Sequence, residues 1–149
     1  MVITVITMNK IRTRPISIAF QMADLKAKFG ELISRIYVKK SKLFCYMTLQ
    51  PSSYSDKYSL KITYSLSEYP KVWLLSPEVQ QYNGQYPHHL YSKNKKDGFR
   101  LCVYAPHLGE WHRNMFLSRT FIPWICTWLN TYEYWLLTGN WEYSEYKGL

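Results

Sequence analysis

Between Leu32 and Leu75 the chain repeats short alternating runs separated by a few polar residues or prolines, and this succession limits the fold more than any other feature. The first run sets Leu32, Ser34, Ile36 and Val38 against Ile33, Arg35 and Tyr37, and stops at Lys39-Lys40-Ser41. A second run, Leu43 to Leu49, ends at Pro51-Ser52-Ser53. The third sets Tyr58, Leu60, Ile62 and Tyr64 against Ser59, Lys61 and Thr63, and the fourth, Val72 to Leu75, lies between Pro70 and Pro77. Period-two alternation belongs to strands with one buried face. Connections this short join antiparallel neighbours, since a parallel return needs a crossover of about a dozen residues or more. The expectation is a four-stranded antiparallel meander.

Helical spacing frames it. Ile18, Met22, Leu25 and Phe29 recur at intervals of four, three and four, with Pro15 before them and Gly30 after. That is an amphipathic helix closed by a glycine. From Ser118 to Leu137 a broader stripe of Phe121, Trp124, Trp128, Tyr132 and Trp135 predicts a second helix, with Pro123 tolerable in the first turn and Gly139 as the stop. Ser76 to about Pro106 shows no period, and loops longer than about 12–15 residues are uncommon in compact domains unless they have a function. The fold class is therefore α+β, and 149 residues suit one domain, 1–149, with neither repeat nor linker.

Composition bounds the function. Aromatic residues make up 17% of the chain, so ring packing carries much of the core. The net charge of +9 invites a nucleic-acid reading, but the basic residues fall in separate clusters: Lys10, Arg12 and Arg14, then Lys39, Lys40 and Lys42, then Lys93, Lys95 and Lys96. Solvated turns account for them, and nucleic acid is not the expected partner. The segment Phe121 to Leu137 is broken by Asn130 and Glu133, and Met1 to Met8 is too short for a secretory core, so the expectation is a cytoplasmic protein without a membrane span. Three cysteines, Cys45, Cys102 and Cys126, without a close pair argue against a disulfide framework or a zinc site.

Cys102 closes the irregular segment in Gly98-Phe99-Arg100-Leu101-Cys102-Val103-Tyr104. A thiolate on an ordered loop is both a good nucleophile and a good leaving group, fit to hold an acyl group as a thioester; the competing reading is a small buried apolar residue. Cys45 lies in a strand and Cys126 in the Trp-rich helix, so both read as core. The pair His88-His89 can supply a donor or proton acceptor near Cys102, with one of the two at most facing any one point. His107, His112, Glu110 and Asp97 are further titratable groups nearby, and Glu133 is a carboxylate between rings in need of a partner. The stripe Trp124, Trp128, Tyr132 and Trp135 reads as core before it reads as a base-stacking platform.

The order of elements and the turn Asp97-Gly98 before Leu101-Cys102-Val103 resemble the ubiquitin-conjugating enzyme (UBC) fold: an N-terminal helix, a four-stranded antiparallel meander, a long active-site segment bearing the cysteine, then C-terminal helices. The chain is most similar to a bacterial branch found in antiphage (CBASS) operons with cGAS-like nucleotidyltransferases. That similarity rests on His89-Leu90-Tyr91, Leu101-Cys102-Val103-Tyr104, Pro123-Trp124-Ile125, Trp128-Leu129, Tyr132-Glu133, Trp135, Thr138-Gly139 and Trp141, and covers most of residues 30 to 142.

Eukaryotic relatives carry His-Pro-Asn upstream of the cysteine, where this chain has Pro87-His88-His89. The resemblance implies a transferase with Cys102 as nucleophile and His89 as helper. It implies no cofactor. The partners it implies are the C-terminus of a cGAS-like nucleotidyltransferase, held as a thioester, and a lysine or other amine as acceptor. No GxGxxG or Walker sequence occurs, so an activator of the carboxyl is either borrowed or unnecessary. A non-catalytic module of the same fold, regulating the nucleotidyltransferase by binding alone, is the alternative. The aromatic tail from Trp141 to Tyr146 is a possible cover for a partner surface.

Overall fold

The computed structural model describes residues 14–94 and 96–141, and for His107 the backbone alone. The apolar start, Lys10, Arg12, Lys95 and positions 142–149 of the tail lie outside the described residues. Helix α1 spans Ile18–Phe29. Strands β1 (Ile33–Lys39), β2 (Lys42–Leu49), β3 (Tyr58–Ser65), β4 (Glu68–Ser76), β5 (Leu90–Asn94) and β6 (Gly98–Leu101) follow, and helix α2 spans Phe121–Thr138. The strands form one antiparallel sheet in the order β1-β2-β3-β4-β6-β5. The class is α+β, as the periodicity predicts.

Helix α1 begins where the Ser17 hydroxyl accepts from the Phe20 N–H at 3.1 Å, satisfying one of the free donors of the first turn. It ends at Phe29, but Gly30 does not close it in the way expected. Its φ of −51° is right-handed, and the chain tightens into a 3-10 turn over Gly30–Leu32 before entering β1. The stripe packs inward through Leu25, with Ile18, Met22 and Phe29 partly buried around it.

A polar residue shares that face. Gln21 is fully buried; its Nε2 donates to the Met115 carbonyl at 2.7 Å and its Oε1 accepts from the Leu117 N–H at 3.0 Å. Fully paired, it costs little desolvation and pins α1 to the segment that leads into α2. Ser118 adds a hydroxyl bond to Asp24, which also pairs with Lys28 at 3.1 Å.

The meander appears with β4 longer than Val72 to Leu75. Pro70 falls inside it, at a place where the register with β3 slips between Thr63 and Ser65, so the missing N–H leaves no ladder bond unmade. One face of the sheet presents Leu43, Cys45, Met47, Leu60, Ile62, Val72, Leu74, Phe99 and Leu101 to a single core, which Leu25 and the α2 residues Phe121, Ile125, Trp128, Leu129 and Tyr132 complete. On the other side Arg35, Lys42, Lys61 and Arg100 cover the rings of Tyr37, Phe44, Trp73 and Tyr91. Four of the nineteen Lys and Arg are thus spread across a sheet face, one cation to a ring.

Two expectations need correction. The segment from Ser76 to Pro106 is not wholly irregular, because it contains the β5–β6 hairpin and so widens the four-stranded meander to six strands. Among the described residues one α-helix, not several, follows the cysteine, accompanied by 3-10 turns at Pro106–Leu108 and Leu117–Arg119.

Gly139 does terminate α2, at φ +77°, with its N–H on the Trp135 carbonyl at 2.7 Å. A Cβ there would stand 2.6 Å from Cε1 of Tyr82. Gly139→Ala is therefore expected to destabilise the chain by roughly 1–3 kcal/mol, through left-handed backbone and a displaced ring, seen as a lower urea midpoint with unchanged slope. An unchanged midpoint would show that the Tyr82 ring yields freely.

Candidate active site

Cys102 follows β6 directly. The position is set by β6, whose Trp73↔Arg100 and Leu74↔Phe99 pairs dock it on β4, and by the hairpin turn that begins it. Gly98 takes φ +98° in that turn, and a Cβ would meet the Leu74 carbonyl at 3.0 Å. Only glycine fits so close to the neighbouring backbone. The Asp97 carboxylate accepts from Nδ2 of Asn94 at 2.7 Å, and Oδ1 of the same side chain accepts from the Lys96 N–H at 2.8 Å, so Asp97 serves the turn.

The three thiols differ sharply. Cys45 is fully buried, and burial pushes its thiol up to about 11; burial also raises that of Cys126, which is half-buried against the core. Both are thereby held protonated at neutral pH. Cys102 is half-exposed, and its Sγ lies 3.6 Å from the Tyr104 carbonyl. Tyr91 on β5 is raised to about 12, by burial first and by the neighbouring Cys102 next.

His89 reaches Cys102 through its backbone. The Cys102 N–H donates to the His89 carbonyl at 3.1 Å, and the same oxygen accepts from Nε1 of Trp128 at 3.0 Å. One carbonyl thus ties the cysteine loop to the middle of α2, where Trp128 is fully buried. The imidazole packs on Trp141 with ring centroids 5.3 Å apart, and Trp141 in turn contacts Trp128 and Trp135. Burial, assisted by the neighbouring His88, holds the imidazole below the ordinary histidine range. It is neutral at pH 7, able to donate from one nitrogen and accept at the other.

The remaining titratable groups stand elsewhere. His88 is exposed, and Glu110 accepts from the Ala105 N–H at 3.3 Å within the loop after the cysteine. His112 lines a cleft of about 620 Å³ with Glu68, Tyr69, Trp111 and Arg113. Glu133 finds its partners in Ser55 and Tyr58, whose hydroxyls donate to its two carboxylate oxygens at 2.7 Å each. It fastens α2 to the start of β3. The Trp stripe is mostly core: Trp128 and Trp135 are buried, and Tyr132 stacks between them.

The α+β chain thus places one partly exposed thiol, Cys102, at the exit of β6, next to the edge strand, with Cys126 partly exposed on α2 and Cys45 buried. The model of the family described as "Type II CBASS E2 protein" matches residues 21–148, and the chain belongs to that family. None of the curated proteins compared with it matches. Among the described residues no helix is long and apolar enough to cross a membrane.

Proposed function

We propose that this chain is an E2-like acyl carrier of the UBC fold, in which Cys102 holds the C-terminal carboxyl of a cGAS-like nucleotidyltransferase as a thioester and passes it to an amine. Membership of the Type II CBASS E2 family supports the class and the setting. The observation that carries the chemistry is the partly exposed Cys102 at the end of β6, anchored through its own N–H, in a chain where burial raises the other two thiols.

The proposed reaction has two steps. The sulfur attacks a carboxyl carbon activated elsewhere, and the activating group leaves. A lysine or other amine then attacks the thioester, the C–N bond forms, and the C–S electron pair returns to sulfur. The developing oxyanion needs a hydrogen-bond donor, a role for the neutral His89 imidazole or a backbone N–H. An anchored loop keeps the nucleophile oriented at both steps.

The test is co-expression with the nucleotidyltransferase of the same operon and electrophoresis without reductant. A thiol-labile adduct is expected, and Cys102→Ala should abolish it while Cys45→Ser and Cys126→Ser retain it. Cys102→Ser or Cys102→Lys should give an adduct that survives reductant. Full phage protection by Cys102→Ala would instead favour the non-catalytic binding module.

A further inference from the structure

The strand registers line up one row of side chains across the whole sheet. Arg35 of β1 faces Tyr46 of β2, Tyr46 faces Lys61 of β3, Lys61 faces Trp73 of β4, Trp73 faces Arg100 of β6, and Arg100 faces Ser92 of β5. Residues paired in this way share a face of the sheet. Their neighbours Cys45, Ile62, Leu74 and Phe99 point the other way, into the core. From β1 to β6 the row reads cation, ring, cation, ring, cation, with a strand spacing of about 4.8 Å between members.

The row is open and its charge is unopposed. Arg35 is exposed and the other members are partly exposed, so among the described residues no layer covers this face. Arg35, Lys61 and Arg100 make no ion pair among the described residues, where the pairs are Lys28 with Asp24 and Lys42 with Glu68. Glu68 is the one acid in all six strands. Lys39, Lys42 and Lys71 add cations to the same face, two or four residues along their strands from members of the row. The sequence scatters these cations from Arg35 to Arg100, which is why their clusters read as solvated turns; strand register gathers them. The rings of the row are not spent on each other either. Tyr37 and Phe44 lie flat together with centroids 5.0 Å apart, but Tyr46 and Trp73 stack on no other ring among the described residues, and Trp73 carries only the Lys61 ammonium, 5.2 Å from its centroid.

We infer that this face binds single-stranded nucleic acid laid across the strands, with backbone phosphates on Arg35, Lys61 and Arg100 and bases against Tyr46 and Trp73 between them. The three cations stand two strands apart, about 10 Å, and a polyanion supplies the repeating charge to meet all of them. An acidic protein face would use the cations and leave the rings idle. Every base, by contrast, has a face to lay on a ring whatever the sequence. A duplex keeps its bases stacked inside and has none to offer. The binding is therefore tolerant of sequence, steep in salt and selective for single strands.

The experiment is fluorescence anisotropy of short, end-labelled RNA and DNA single strands of mixed sequence with the full chain, at salt from about 50 to about 200 mM. Three phosphate contacts at about −0.7 each predict a slope of log K against log salt of about −2. Arg35→Gln combined with Lys61→Gln should weaken binding and bring the slope to about −0.7, since one cation of the row remains. Tyr46→Leu and Trp73→Leu should each weaken binding about tenfold and leave the slope unchanged. Trp73 is partly buried, so thermal midpoints accompany each variant, and the Arg35 and Lys61 changes, made on the open face, decide the matter if Trp73→Leu fails to fold. Absence of binding at the lower salt overturns the assignment. So does an unchanged slope in the double variant, binding to a duplex of the same sequence as tight as to the single strand, or displacement of the strand by polyglutamate at equal charge.

Discussion

Replacing Trp128 by alanine is expected to destabilise the chain by about 3–5 kcal/mol and to loosen the cysteine loop as well. The first effect comes from an indole that is fully buried, stacked on Tyr132 and edge-on to Trp141. The second comes from its Nε1–H, which holds the His89 carbonyl. Trp128→Phe separates the two, keeping most of the ring and losing the bond, at an expected cost of about 1–2 kcal/mol. Hydrogen exchange at the Cys102 amide reports the loop directly, since that N–H bonds to the same oxygen. Faster exchange is expected in both variants. Unchanged exchange in the phenylalanine variant would mean that the carbonyl holds its place without the helix.

A steep loss of stability at high pH is the second large effect expected. Burial raises the hydroxyls of Tyr58, Tyr64, Tyr104 and Tyr132, and Tyr58 is raised further by the Glu133 carboxylate to which it donates. Cys45 moves from 9.0 to about 11. In each case the folded state holds its proton to higher pH than the unfolded chain. The stability is then fully present below the unfolded value and drains away as pH rises through it toward the folded one. Cys45 alone is worth on the order of 3 kcal/mol over that interval. Thermal midpoints should be level from about pH 7 to 9 and fall sharply between about 10 and 12. A midpoint still level at pH 12 would contradict the burial of these groups. Glu133→Gln should soften the fall, because it removes the carboxylate charge beside Tyr58 and keeps a hydrogen-bond acceptor there.

The parts of the fold that could be read ahead are those where burial is one-sided. In β3, Tyr58, Leu60, Ile62 and Tyr64 are all buried, with Ser59 and Lys61 less so, and the alternation in the sequence follows the burial as far as Ile62, beyond which Thr63 and Ser65 are buried as well. The α2 stripe was legible for the same reason. The hairpin was not. β5 is an edge strand of five residues, Leu90–Asn94, none of them buried, and so carries no apolar alternation. β6 has four residues, too few for a period to show. What did mark it was the turn: Asp97-Gly98 ahead of Phe99 and Leu101 is a hairpin signal that segment-wide periodicity averages away.

The site was half legible in the same sense. Cys102 stands out by residue type and by its place after Gly98. Tyr91 is invisible to pattern, since its place near Cys102 depends on a one-residue slip in strand register that no local spacing encodes. Gln21 is the opposite lesson. It looks like a polar interruption of an amphipathic helix, and it is buried because the nitrogen and oxygen of its one amide meet Met115 and Leu117, more than ninety residues away in sequence.

A peptide oxygen offers two lone pairs, and on His89 both are spoken for, one by the cysteine amide and one by the indole. Solvent has no vacancy there to compete for. The last rung of the ladder is sealed although the side chain a few covalent bonds away meets water, so freedom at the sulfur does not have to come from slackness in the chain that carries it.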